Sequence, residues 1–135
     1  MTLFCSEIDT HSRSIRWVRA GHDPAIFYDP VTNTFEELKG PGLALGVDAD
    51  WQYEEQQRTG LKKGPIIVIG TDGIWEAHNS EGDTFGKESL LEVIRQHASV
   101  SAQEIVSAII NAVDRFRKDV IPEDDVTLVV IKVTG

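Results

Sequence analysis

A chain of 135 residues, 41% hydrophobic and 26% charged, has the size and balance of one globular domain and is neither disordered nor fibrous. Thirteen Lys and Arg against 22 Asp and Glu leave a formal charge of −9 and an isoelectric point near 4.8, a surface that repels a phosphate backbone and argues against nucleic-acid binding. No apolar run approaches the ~18 residues of a membrane span, no basic-then-apolar leader opens the chain, and the lone Cys5 cannot form an internal disulfide, which fits a reducing cytoplasm.

Neither an internal repeat nor a low-complexity tract interrupts the sequence, and its two halves differ in character. The first half reads as strands. Leu3 to Ile8 and Ser14 to Ala20 alternate around the turn formers Asp9-Thr-His-Ser12, which predicts a hairpin with Ile15, Trp17 and Arg19 on one face. Ala25 to Tyr28 is a third strand closed by Asp29-Pro30, and Thr34 to Leu38 a shorter fourth. Gly40 to Gly46 breaks the alternation and reads as a loop. Trp51 to Thr59 is polar yet alternates, and is expected to be a strand with one solvated face. Ile66-Ile-Val-Ile69 has no polar partner on either side, so it should be a central strand covered on both faces.

The second half is helical. Leu90, Leu91, Ile94 and Ala98 recur at helical spacing. Ser101-Ala-Gln-Glu104 is a capping box, with Val100 and Ile105 placed as its hydrophobic staple, and the apolar stripe behind it runs to about Lys118. Asp125 to Val133 then alternates as a closing strand. Strands, two helices and a strand point to a layered α+β domain.

Two segments can carry chemistry. In Ile69-Gly-Thr-Asp-Gly-Ile-Trp-Glu76 an apolar strand ends in Asp72-Gly73, which places a carboxylate on a rigid element beside a residue that permits close approach. Strand-end carboxylates suit a hard cation such as magnesium or manganese. Asp72 also reads as a turn or helix-cap residue. In Pro122-Glu-Asp-Asp-Val-Thr-Leu128 adjacent carboxylates repel each other, an arrangement favourable around a cation and tolerable in a solvated acidic loop. Arg13, Arg16 and Arg19 read as solvated strand faces. His11, His78 and His97 lack ligand spacing and read as surface positions, and Trp17, Trp51 and Trp75 as layer contacts.

Six pieces in order resemble one family: Met1-Thr-Leu-Phe4, Ala20-Gly-His-Asp-Pro24, Leu43-Ala-Leu-Gly-Val47, Thr71-Asp-Gly-Ile-Trp-Glu-Ala77, Phe85-Gly86 and Asp124-Asp-Val-Thr-Leu-Val-Val130. Together they resemble the C-terminal part of a protein phosphatase 2C-type (PPM) catalytic domain in its bacterial SpoIIE/RsbU-like branch. The resemblance implies a β-sandwich of two antiparallel sheets with flanking helices, and a two-metal centre at one end. It implies that residues 1–135 are the C-terminal part of a single such domain, incomplete at its N-terminus. By the same resemblance Asp72 and Asp124 match metal-binding, catalytic aspartates, Glu76 a position tied to a loosely held extra ion, and Asp125 a supporting slot. Gly21-His22 matches a branch signature that shapes a turn beside the site.

The implied function is a metal-dependent protein serine/threonine phosphatase using two Mn2+ or Mg2+ ions. Two such ions ~4 Å apart activate water and neutralise the phosphoryl oxygens of a monoester during in-line attack. No Ser, Cys or His nucleophile is then needed, and none is evident. The implied substrate is a phosphorylated anti-anti-sigma-factor protein of STAS type. An upstream sensor or receiver domain in the parent chain is expected to switch the activity.

One departure matters. The family's upstream Asp-containing, glycine-rich motif, whose aspartate bridges the metals, is not found, since the one Asp-Gly is at Asp72. Met1 is therefore expected to be internal to a longer signalling protein, and this segment alone to be weakly active or inactive. Uncovered apolar surface and open edges predict a homodimer or strand exchange. The alternative function is a non-catalytic PPM-like scaffold that binds a partner-switch protein.

Overall fold

The computed structural model describes residues 1–135 as seven strands and two helices. Strands β1 (Leu3–Asp9), β2 (Ser14–Ala20) and β5 (Gln56–Arg58) form one antiparallel sheet in the order β1-β2-β5. Strands β3 (Ala25–Asp29), β4 (Thr34–Leu38), β6 (Ile66–Gly70) and β7 (Leu128–Lys132) form a second in the order β4-β3-β6-β7. Helices α1 (Gly86–Gln96) and α2 (Ala102–Arg117) lie between β6 and β7 in sequence.

Alternation along the second sheet divides the apolar residues between two cores. Ile26 and Tyr28 of β3, Ile66 and Val68 of β6, and the fully buried Leu90, Ile94, Ile105 and Ile109 of the helices form one. Ala25, Phe27 and Ile67 turn the other way, onto Ile15 and Trp17 of β2, with Ile69 and Ile131 against them. The layers therefore run helices, four-stranded sheet, three-stranded sheet, and β6 is central with both faces covered, as its unbroken apolar run predicts. No layer covers the outer face of the three-stranded sheet, where Leu3 and Cys5 are exposed.

Local chemistry explains the boundaries. The Asp9 carboxylate accepts hydrogen bonds from the His11 and Ser12 amides at 2.8 and 3.1 Å, which closes the predicted hairpin and holds its carboxyl below the usual value. The capping box of α2 is complete: the Ser101 hydroxyl accepts from the Glu104 amide, and the Glu104 carboxylate accepts from Ser101. Val100 packs against the same core as Ile105.

Two strands are shorter than the alternation predicts. Within Trp51 to Thr59 only Gln56–Arg58 pairs, against Ile15 to Trp17. Beyond Trp17 the loop takes the edge of β2: a β-carbon on Gly42 would lie 2.0 Å from the Arg19 carbonyl oxygen, and the Trp17 indole donates to the Lys39 carbonyl. Trp51 is accordingly 39% exposed rather than a layer contact. The closing strand begins at Leu128 instead of Asp125, because Thr71 diverts the pairing just before it.

The arginines also differ from expectation. Arg16 does pair on the surface with Glu7, at 2.9 Å. Arg13 instead donates to the Leu61 carbonyl and Arg19 has a buried Nε without a partner, so neither is a simple solvated face.

Candidate metal centre

The register brings both acidic segments to one end of the sandwich. Gly70, the last residue of β6, pairs with Leu128, the first of β7. The β2–β3 turn lies at that same end, since β3 starts where β6 finishes. In that turn Gly21 takes a positive φ of 69° against Ala44, and the His22 Nδ1 lies 2.8 Å from the Asp23 carbonyl oxygen. His22 thus contacts the backbone of the turn that its resemblance links to the site.

Asp72 follows β6 on one tight turn. Ile74 donates its amide to the Thr71 carbonyl at 3.1 Å, and Glu76 to the Asp72 carbonyl at 2.8 Å. Ile74 is fully buried and anchors the turn in the helical core, which leaves Asp72 half-buried and Glu76 exposed one helical turn further on. Gly70 leaves room for the Ile74 side chain, whose Cδ1 would lie 2.7 Å from a β-carbon there.

Asp124 sits on the exposed loop that enters β7, and its carboxylate accepts a hydrogen bond from the Asp125 amide at 2.8 Å. The two segments touch. A β-carbon on Gly73 would lie 2.6 Å from the Asp125 carbonyl oxygen, and the Thr71 hydroxyl donates to that same oxygen at 3.2 Å. The glycine of Asp72-Gly73 therefore serves close approach between the segments that carry Asp72 and Asp124.

Beside them opens a cleft of about 260 Å3, lined by Glu76, His78, Arg117, Glu123 and Asp124 among others, with Asp72 outside its lining. Its polar wall comes partly from residues that sequence reasoning passed over. His78 Nε2 stands 3.5 Å from Glu123 Oε1, which joins the segment after Glu76 to the acidic loop. Arg117 is the one buried charged side chain; it pairs with Asp114 at 3.1 Å and lines the clefts on both sides of Asp124. Its place on the apolar stripe of α2, four residues after Val113, is the signal that could have found it.

In kind, the donors fit a hard divalent cation, since they are carboxylates at the ends of neighbouring strands. In number they fall short of a ligand group. No three His, Cys, Asp or Glu side chains converge as a ligand group, although Asp72, Glu76 and Asp124 are gathered at this end.

Comparison with known proteins gives the arrangement a context. The sequence model described as Stage II sporulation protein E (SpoIIE) matches residues 1–134. The phosphoserine phosphatase RsbU of Bacillus subtilis is 31% identical over 132 residues, which are 98% of this chain and 38% of that protein. Among solved structures, the SiaA-PP2C domain of Pseudomonas aeruginosa superposes with a TM-score of 0.82 at 21% identity, over 97% of this chain and 51% of that one. The manganese-presoaked phosphatase domain of the cell-fate determinant SpoIIE from Bacillus subtilis gives 0.73 at 20% identity, over 98% and 56%. The structural likenesses establish the fold. The chain spans little more than a third of RsbU and about half of each of the two solved domains.

Proposed function

The chain belongs to the SpoIIE family, and from that premise we propose that it is the C-terminal part of a PPM-type protein serine/threonine phosphatase domain that depends on divalent metal. The observation that carries this reading is the juxtaposition of the Asp72 and Asp124 segments across the β6–β7 end, in a chain whose relatives include a phosphoserine phosphatase. Asp72 and Asp124 would hold Mn2+ or Mg2+, Glu76 would reach a more loosely held ion, and Asp125 supports Asp124 through its amide. When bound, a pair of such ions supplies the water activation and charge neutralisation that monoester hydrolysis requires.

The chain's own residues do the positioning. The buried Ile74 fixes the Asp72 turn, Gly73 admits the acidic loop, and Arg117 places a positive charge beneath it. The remaining ligands lie outside these 135 residues in this reading, which agrees with the partial coverage of the solved domains. The proposed substrate is a phosphoserine or phosphothreonine on a STAS-type anti-anti-sigma protein in the cytoplasm, with a sensor or receiver domain upstream. The uncovered face of the three-stranded sheet is where further elements or a second copy would pack.

Manganese-dependent hydrolysis of a phenyl phosphate tests the reading, measured on the natural protein at full length beside residues 1–135. Activity in the long form, abolished by Asp72→Asn and by Asp124→Asn without loss of fold, is the expected result. Near-wild-type turnover in either variant would remove that residue from the site. A second reading, the non-catalytic scaffold, is favoured by one observation: no three ligating groups converge. An Asp-containing, glycine-rich motif directly upstream separates the two, since only the enzyme requires it.

A further inference from the structure

The β6–β7 ladder ends at Gly70 and Leu128, and the next residue on the β6 side breaks its pattern. Thr71 still donates its amide to the Thr127 carbonyl at 3.1 Å. An antiparallel pair would return the favour, with the Thr127 amide donating to the Thr71 carbonyl. That carbonyl is already engaged, because it accepts the Ile74 amide at 3.1 Å and so closes the turn that carries Asp72. The Thr127 amide goes instead to the Thr71 hydroxyl oxygen, also at 3.1 Å. The proton of that hydroxyl goes to the Asp125 carbonyl oxygen at 3.2 Å. A single side-chain oxygen thus replaces the missing backbone acceptor and adds a donor.

We propose that Thr71 is a positioning residue for the metal centre: its hydroxyl fixes the acidic loop to the Asp72 turn, and so sets the separation at which Asp72 and Asp124 meet a divalent cation. The proposal rests on the reading of those aspartates as metal ligands. The path is short. The hydroxyl holds Asp125 by its carbonyl, the Asp125 amide donates to the Asp124 carboxylate at 2.8 Å, and Gly73 leaves room for the contact. Residues 121 to 125 are all exposed, and the other side-chain tie described for them is the His78–Glu123 contact at 3.5 Å, at the surface and one residue before Asp124. Partners of metal ligands that orient them without touching the ion typically change affinity by about 10–100-fold when removed.

The test compares Thr71→Val, which keeps the shape and removes the hydroxyl, with Thr71→Ser, which keeps the hydroxyl. Both are made in the natural protein at full length. Amide hydrogen exchange with metal chelated reads the clamp itself, and calorimetric titration with MnCl2 reads the site. In the valine variant the Thr127 amide should exchange faster and Mn2+ affinity should fall about tenfold, while the melting transition persists. The serine variant should bind within about threefold of wild type, the hydroxyl being retained.

Wild-type Mn2+ affinity in the valine variant would overturn the proposal, as would a serine variant no better than valine. Loss of the melting transition together with the metal would assign Thr71 to general stability and overturn it equally; Thr71→Ala, measured alongside, checks that outcome against β-branching. Asp72→Asn provides the separate control. If it binds Mn2+ like wild type, the site reading itself fails, whatever the Thr71 variants do.

Discussion

The two acidic segments at the end of the sandwich are held in opposite ways. The Asp72 turn leaves the central strand, is closed by two backbone hydrogen bonds, and is pinned by a fully buried isoleucine. The Asp124 loop is exposed from Ile121 to Asp125, and its ties to the sheet are the Thr71 hydroxyl and the space left by Gly73. One carboxylate is preorganised by the core; the other is delivered by a loop. Such a pairing suits the proposed site, in which a cation would order the loop-borne half on binding.

The sharpest way to break this contrast is Ile74→Ala. Removing a fully buried isoleucine costs about 2–5 kcal/mol, and chemical denaturation should show a loss in that range, with Mn2+ binding impaired through the Asp72 turn. Gly73→Ala should come next. Its new β-carbon collides with backbone rather than with a flexible side-chain end, so the loop must move; overpacking of this kind costs about 1–3 kcal/mol. Here Mn2+ affinity should fall more than stability does, and the reverse order in a paired titration and melt would contradict the described contact.

Ser101→Ala serves as a control remote from both segments. Loss of the cap should cost about 1 kcal/mol and leave Mn2+ affinity unchanged. The same box gives a pH dependence of known sign. Hydrogen bonds from Ser101 hold the Glu104 carboxyl below its ordinary 4.5. Its contribution is therefore present at neutral pH and lost as the pH falls from about that ordinary value through the lowered one. In Ser101→Ala the acid limb of the stability curve should be shallower, as read by circular dichroism. The smallest effect belongs to Ile121→Ala on the exposed loop, expected within about 0.5 kcal/mol of wild type.

Much of the fold was legible because local chemistry and tertiary packing agree. The Asp9 turn, the Ser101 capping box and the two-faced strand Ile66 to Ile69 each carry their own signal, and each forms where the sequence places it. The errors fall where a strand's extent depends on a distant partner. Gln56–Arg58 stops at three residues because a glycine loop occupies the edge beyond it, which no alternation within Trp51 to Thr59 can reveal. Thr71 displaces the start of β7 for a similar reason.

The site was legible to a lesser degree. Residue type singles out Asp72 and Asp124 and family resemblance joins them, and the strand register sets their segments side by side. Arg117 is not legible in the sequence, because a charge on an apolar helical stripe reads as its solvated margin until the neighbouring loop is placed. His78 reads as a surface position for want of ligand spacing, and spacing along the chain says nothing about Glu123 across the cleft.

The order of β6 and β7 in the four-stranded sheet has a temporal consequence. Both helices are synthesised between these neighbours, so one edge of an entirely apolar strand stays open on the ribosome until the far side of α2 has emerged. Closing so long a loop is slow, and an unpaired apolar edge invites wrong partners in the interval. The acidic segment that enters β7 therefore reaches its neighbour only after both helices have been made.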